Sequence, residues 1–161
     1  MGLVPSNIEK IKRSQFIKYI DTTPSSTATW KVVGIGITEA NIDYNPQVDS
    51  EKWIIEDTAR NDHTGNQKQI AITQKCYKND PEFEFVNGCR DKLNNKTHIL
   101  EIDMWNGNNG SYPAKQSDGI VAVTNYSGEE IQYTLYFDGD AVDGTATVSD
   151  GVPSFTPSVS L

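Results

Sequence analysis

Residues 29–58, TWKVVGIGITEANIDYNPQVDSEKWIIEDT, carry the reading on which the fold turns. Trp30 to Ile37 is rich in aromatic and β-branched residues and reads as a strand. Gly34 and Gly36 inside it point to a bulge or a close backbone approach, because glycine fills a strand interior poorly. From Glu39 the residues alternate: Glu39, Asn41, Asp43 and Asn45 fall on one face, and Ala40, Ile42 and Tyr44 on the other. Asn45-Pro46 stops that run, and Lys52 to Asp57 resumes it with Trp53, Ile54 and Ile55. Trp30 and Trp53 are therefore expected to anchor a sheet. The stretch holds no arrangement of nucleophile, base and oxyanion donor, so its expected work is pairing and assembly.

Toward the N-terminus, residues 1–14 read as a polar arm with Pro5, and the remainder, 15–161, as one β domain. Gln15 to Ile20 reads as a first strand with Phe16, Lys18 and Ile20 on one side, followed by the turn TTPSS. Toward the C-terminus, Thr58 to Gln69 reads as a long polar loop, and loops of that length are usually functional or disordered. Ile70 to Tyr77 is again strand-like. A helix over about 80–94 is expected: Asp80 suits the N-cap, Pro81 the first position, and Glu82 and Glu84 the positive helix start. Phe85, Val86, Cys89 and Leu93 recur at helical spacing, which makes Phe85, Val86 and Leu93 expected core anchors. Thr97 to Trp105 is a strand, Asn106 to Gly119 a second long loop, and three strands follow at 120–126, 131–137 and 144–149, the last two separated by the turn Asp138-Gly139-Asp140. The tail from Gly151 is extended and polar. About nine strands and one helix predict a mainly β fold, an antiparallel β-sandwich or barrel with one flanking helix and long inter-strand loops.

A chain of 161 residues is one domain by length. No stretch reaches the roughly 20 apolar residues of a membrane helix, so no membrane partner is expected. The first residues lack the apolar core of a signal peptide, so the sequons at Asn95, Asn109 and Asn125 are expected to be chance matches. Charge is uneven. Residues 1–20 carry +3, residues 21–115 carry −4, and residues 116–161 carry −7 with no Lys or Arg, which sums to −8. A basic start and an acidic end would suit head-to-tail matching between copies, and the acidity argues against ordinary nucleic-acid binding. The plain alternative is a solvated acidic surface that keeps the protein soluble.

Chemical motifs are sparse. Asp138, Asp140 and Asp143 invite a calcium reading, but the sixth position from Asp138 is Asp143 and the twelfth is Ser149, which breaks the EF-hand pattern. His63 and His98 have no second ligand at metal spacing, and Cys76 and Cys89 have no CxxC spacing, so no metal or other cofactor is expected and the cysteines are expected reduced. Glu101 and Asp103 share a strand face about 7 Å apart by strand rise, a separation two-carboxylate glycosidases use. Two acids on an exposed strand are commonplace, and the chain is read as a non-enzyme. A carbohydrate-binding β-sandwich, with Trp105, Tyr112 or Tyr126 as sugar platform, is the main rival to a structural role.

The ordered set Trp30 with Gly34 or Gly36, a polar hairpin ending at Asn45-Pro46, Trp53 with Glu56-Asp57, the helix entry Asp80-Pro81-Glu82-Phe83 and a closing Phe155-Thr156-Pro157 resembles the major tail tube proteins of long-tailed bacteriophages, especially the siphophages of Gram-positive hosts. The resemblance implies a β-sandwich with a flanking helix that forms hexameric rings. The rings stack into a tube in the virion, assembled in the host bacterial cytoplasm. DNA passes through the tube without specific binding during ejection. It also implies a tape measure protein and tail completion and baseplate proteins as partners. On it, Glu39, Asp43, Glu101 and Asp103 are expected to line the lumen. The arm residues Lys10, Lys12 and Arg13 and the loop residues Arg60, Asp62 and His63 are expected to meet neighbouring subunits.

Overall fold

The computed structural model describes Leu3 and residues 5–158. Its elements run β1 (Phe16–Asp21), β2 (Trp30–Val32), β3 (Ile42–Asp43), β4 (Pro46–Glu51), β5 (Arg60–Asn66), β6 (Gln69–Lys75), α1 (Pro81–Asn87), β7 (Asn95–Asp103), β8 (Ser111–Tyr126), β9 (Glu130–Ser149) and β10 (Val152–Pro157), with 3-10 turns at Arg13–Gln15 and Met104–Asn106. The fold is mainly β and antiparallel with one helix, as expected.

An eight-stranded sheet orders β2-β1-β7-β8-β9-β6-β3, with β10 on the same edge of β9 as β6 but farther along. Strands β8 and β9 are its spine, paired from Ser111↔Thr147 to Tyr126↔Ile131 and joined by a turn in which Gly128 takes a left-handed φ of 90°. Alternation gives the sheet two faces, and both are buried in part. On the front face Ile20, Ile70, Ile72, Ile99, Val121, Ile131, Tyr133 and Leu135 pack under Phe83, Val86 and Cys89 of the helical segment and under Val33. On the back face Tyr19, Leu100, Ile102, Ala114 and Ala146 form a second core, closed by Trp30 from one edge and Phe155 from the other.

Several boundaries differ from the sequence expectation. The Trp30 strand stops at Val32, and the chain turns at Gly36, whose φ of 77° and carbonyl bond from Lys75 N (3.0 Å) bring its backbone against β6. Only Ile42–Asp43 of the alternating run pairs, on the outer edge of β6. Residues 58–69 are no loop: Arg60–Asn66 is a strand, antiparallel to β4 in a separate two-stranded ribbon. Lys52 to Asp57 is the turn of that ribbon, so Trp53 anchors no core and is 47% exposed. Helix α1 ends at Asn87, where Gly88 caps it, and Leu93 beyond it is 93% exposed rather than a core anchor. Val86 is fully buried and Phe85 half-buried against the front core, as expected of them. The 106–119 loop belongs mostly to β8, and the tail segment is β10. Cys76 and Cys89 are unpaired.

Candidate assembly surface

Three features of the molecule have an unfinished character. The first is the ribbon. Strands β4 and β5 pair only with each other, and nearly all their side chains face solvent. At its tip Trp53 Nε1 donates to Glu51 (2.6 Å), and Arg60 lies over the Trp53 ring at 4.1 Å. Arg60 also holds Glu56 through Nε, at 2.7 and 3.0 Å. These contacts fix the turn and leave Ile54 and Ile55, at 102% and 85% exposure, projecting into water. Arg60, Asp62 and His63 all lie on β5 and are exposed, with His63 Nε2 2.8 Å from Asn66 Oδ1.

The second is an open groove of about 820 Å³ beside the foot of the ribbon. Phe16 and Lys18 of β1, Lys12 and Arg13 of the arm, and the segment from Val33 to Tyr44 line it. Arg13 donates to the Thr38 carbonyl (2.7 Å), tying the arm to the far wall, while Lys12 and Lys10 are exposed. Lys18 is 9% exposed, its ammonium 4.4 Å from the centre of the Phe16 ring. It enters no ion pair among the described residues. Burial lowers its pKa; the charge of Glu101 across the strand pair works the other way.

The third is the set of four carboxylates. Glu39 and Asp43 are exposed and share a shallow groove with Gln69, Ala71 and Thr73, on the back face. Glu101 lies on the front face, because it is in line with Ile99, and it is 5% exposed between Lys18 and Lys115. Burial raises its pKa, and its Oε1 has no hydrogen-bond partner. Asp103 is half-buried. The expected single acidic wall of Glu39, Asp43, Glu101 and Asp103 therefore does not form within one chain: two of the four are on the open back face and Glu101 is interior. The same burial removes Glu101 from an exposed glycosidase pair.

Two polar clusters escaped the sequence reading. Under α1, Glu82 is fully buried, accepting from Tyr133 Oη and from Gln74 Nε2 (2.7 Å). Gln74 Nε2 also donates to Asp80 Oδ2 (3.2 Å) and to the Ile35 carbonyl (2.8 Å), so one amide ties helix, sheet and the 33–38 segment. Burial pushes Glu82 up to about 7, and burial also raises Asp80. At the β1–β7 end, fully buried Asp21 accepts from Thr23 N (2.9 Å) and Thr29 N (3.0 Å) and lies 2.8 Å from His98 Nδ1. Burial opposes its charge, yet the bonds from His98, Thr29 and Thr23 prevail and hold the carboxyl below its ordinary value. The far ring nitrogen of His98 is 3.4 Å from Asp118.

The aromatic platform does not gather. Trp105 is 46% exposed in the 3-10 turn before β8 and Tyr112 is near the start of β8, but Tyr126 is at the opposite end of β8 with Arg90 over its ring at 3.9 Å. Among the described residues no cluster of three or more metal-ligating side chains occurs, and Asp138, Asp140 and Asp143 lie along β9. Among the described residues no helix is long and apolar enough to cross a membrane. No protein-family model matches the chain, and no curated protein matches it.

Proposed function

We propose that this chain is a structural subunit that associates with copies of itself into rings and stacked tubes, the tail tube of a long-tailed bacteriophage. The ribbon carries the reading. It extends from the sheet, contributes nothing to either core, and presents Ile54 and Ile55 to water. Covering both would contribute roughly 3–6 kcal/mol before the entropic cost of association. An isolated subunit gains nothing from such a tip, whereas an assembling one uses it as a contact. The two outer strands of the main sheet, β2 and β3, are only three and two residues long, which leaves little edge for pairing and makes the ribbon the main contact. In this reading Glu39 and Asp43 face the conduit. The net charge of −8 lets DNA slide past like charge rather than adhere, and the ribbon and the basic arm contact neighbouring rings.

Electron microscopy of the concentrated purified protein tests it. Rings or tubes are expected, with a central channel. A population of single subunits at every concentration would defeat the proposal and return weight to a carbohydrate-binding module, for which half-exposed Trp105 is the remaining support.

A further inference from the structure

We infer that the ribbon tip of one copy seats in the groove between β1 and the Val33–Tyr44 segment of the next copy. The inference rests on the self-association reading for its partner but not on the tube. The two surfaces match in chemistry. The groove has an apolar floor of Val33, Ile37 and Ile42, aromatic rings from Phe16 and Tyr44, and three cations, Lys12, Arg13 and Lys18, against one carboxylate, Glu39. The tip offers, in sequence, the bare isoleucines Ile54 and Ile55 and then Glu56-Asp57. Glu56 is already occupied by Arg60, which leaves Asp57 as the exposed, unpaired carboxylate beside the apolar pair. Lys18 is the complementary group: a lysine nine-tenths buried in the groove wall, opposite Glu101 on β7 but in no ion pair among the described residues. A carboxylate arriving with apolar neighbours would pair it while excluding water from the groove, which is how a desolvated interface charge becomes favourable.

The occupant comes from another copy because the ribbon carries the tip away from the groove. Tyr44 lines the groove, and β4 starts two residues later at Pro46. Six strand residues at about 3.3 Å each put the tip about 20 Å along the ribbon from its own groove. Tip and groove are then different surfaces of one molecule. A contact of this kind is heterologous, and it propagates into closed rings or open filaments instead of stopping at a two-fold dimer.

The test separates the two halves of the contact. One variant loses the tip (Ile54→Ser with Ile55→Ser). Two others spoil the groove: Asn41→Trp fills it from an exposed rim position, and Lys18→Met removes the buried cation. Asn41→Trp remains informative if Lys18→Met fails to fold. Sedimentation velocity of the wild-type chain is expected to show concentration-dependent association, weakened at least 10-fold in each variant alone. An equimolar mixture of tip-less and groove-blocked chains is expected to give complexes of two copies and no larger, since only one tip and one groove remain. A wild-type chain that stays monomeric, a tip-less chain that associates like wild type, or a mixture that stays monomeric would each overturn the inference. Two-copy complexes from the mixture together with no tubes in micrographs of the wild type would retire the tube alone. Tubes formed by the tip-less chain would retire this contact and leave the tube reading standing.

Discussion

Replacing Glu82 by Gln tests the buried network under α1 through the pH dependence of stability. Glu82 has an ordinary value of 4.5 and is pushed up to about 7 in the folded chain, first by burial and also by the nearby charge of Asp80. The folded state thus favours the protonated acid. Below 4.5 Glu82 is protonated folded and unfolded, and its contribution is fully present; as pH rises the unfolded chain ionises first, and stability drains away until the folded group ionises near 7. A rise from 4.5 to about 7, at about 1.4 kcal/mol per unit, corresponds to a loss of roughly 3 kcal/mol across that window. Glu82 is fully buried, so solvent screening does not discount the figure. Glutamine keeps the shape and an acceptor for Tyr133 Oη but cannot ionise. Urea unfolding at dilute, monomeric concentration and at pH 5, 6, 7 and 8 reads the effect. The variant is expected to stand lowest against wild type at pH 5, where the folded wild-type chain still holds Glu82 protonated. It should recover by roughly 3 kcal/mol relative to wild type by pH 8. Parallel stability curves for the two proteins would refute the assignment. Glu101, also raised by burial, adds slope of the same sign in both proteins and cancels in the difference.

Three further outcomes are expected. Asp21→Asn should cost about 1–3 kcal/mol at neutral pH, since it weakens the bonds from Thr23, Thr29 and His98. Because the Asp21 carboxyl sits below its ordinary 3.8, that deficit should shrink as pH falls through this range, measured by unfolding in acid. Gly36→Ala should lower stability by roughly 1–3 kcal/mol, as the φ of 77° disfavours any side chain and a Cβ there would lie 2.6 Å from the Lys75 carbonyl. Its thermal midpoint against wild type checks this. Ile54→Ser with Ile55→Ser should change the stability of the monomer by no more than about 0.5 kcal/mol, because neither side chain touches the cores. A larger loss in denaturant titration would mean that the tip packs on its own body.

The elements legible in the sequence are those whose signal is local and whose two faces differ. Strand β6 alternates Ile70, Ile72 and Gln74 inside with Ala71, Thr73 and Lys75 outside, and the period of two is plain. Asp80 accepts from Glu82 N, as an N-cap in front of Pro81 should. Strand β5, RNDHTGN, carries no such signal, because a two-stranded ribbon is wet on both faces and imposes no apolar period. Trp53 misleads for the same reason: its aromatic and β-branched neighbours look like a core strand, but they crown a turn. Asp138-Gly139-Asp140 reads as a reversal, and Gly139 does take a left-handed φ of 79°. It takes it in a bulge opposite Gln116/Asp118, so β9 continues without reversing. Glu82 looks like a surface residue placed for the helix dipole. Only the pairing of Gln74 with Ile131 and the neighbouring Tyr133 reveal that it faces the sheet. Of the candidate site, the exposed positions of Arg60, Asp62 and His63 were legible; the role of Lys18 was not, since it depends on how the 33–44 segment folds back over β1.

The order of strands in the sheet also sets an order in time. Strand β1 meets β2 early, Tyr19 against Val32, but its other side pairs with β7, Phe16 against Asp103, so that side stays open until nearly two-thirds of the chain has been made. The ribbon, by contrast, needs only neighbours, Glu51 against Arg60, and a hairpin of that kind closes in about 1–10 μs. A chain emerging from its ribosome would thus carry a finished tip long before it owns a finished groove, whose β1 wall waits for β7. Immature chains can offer the contact but cannot receive it, which confines growth to subunits that have already folded.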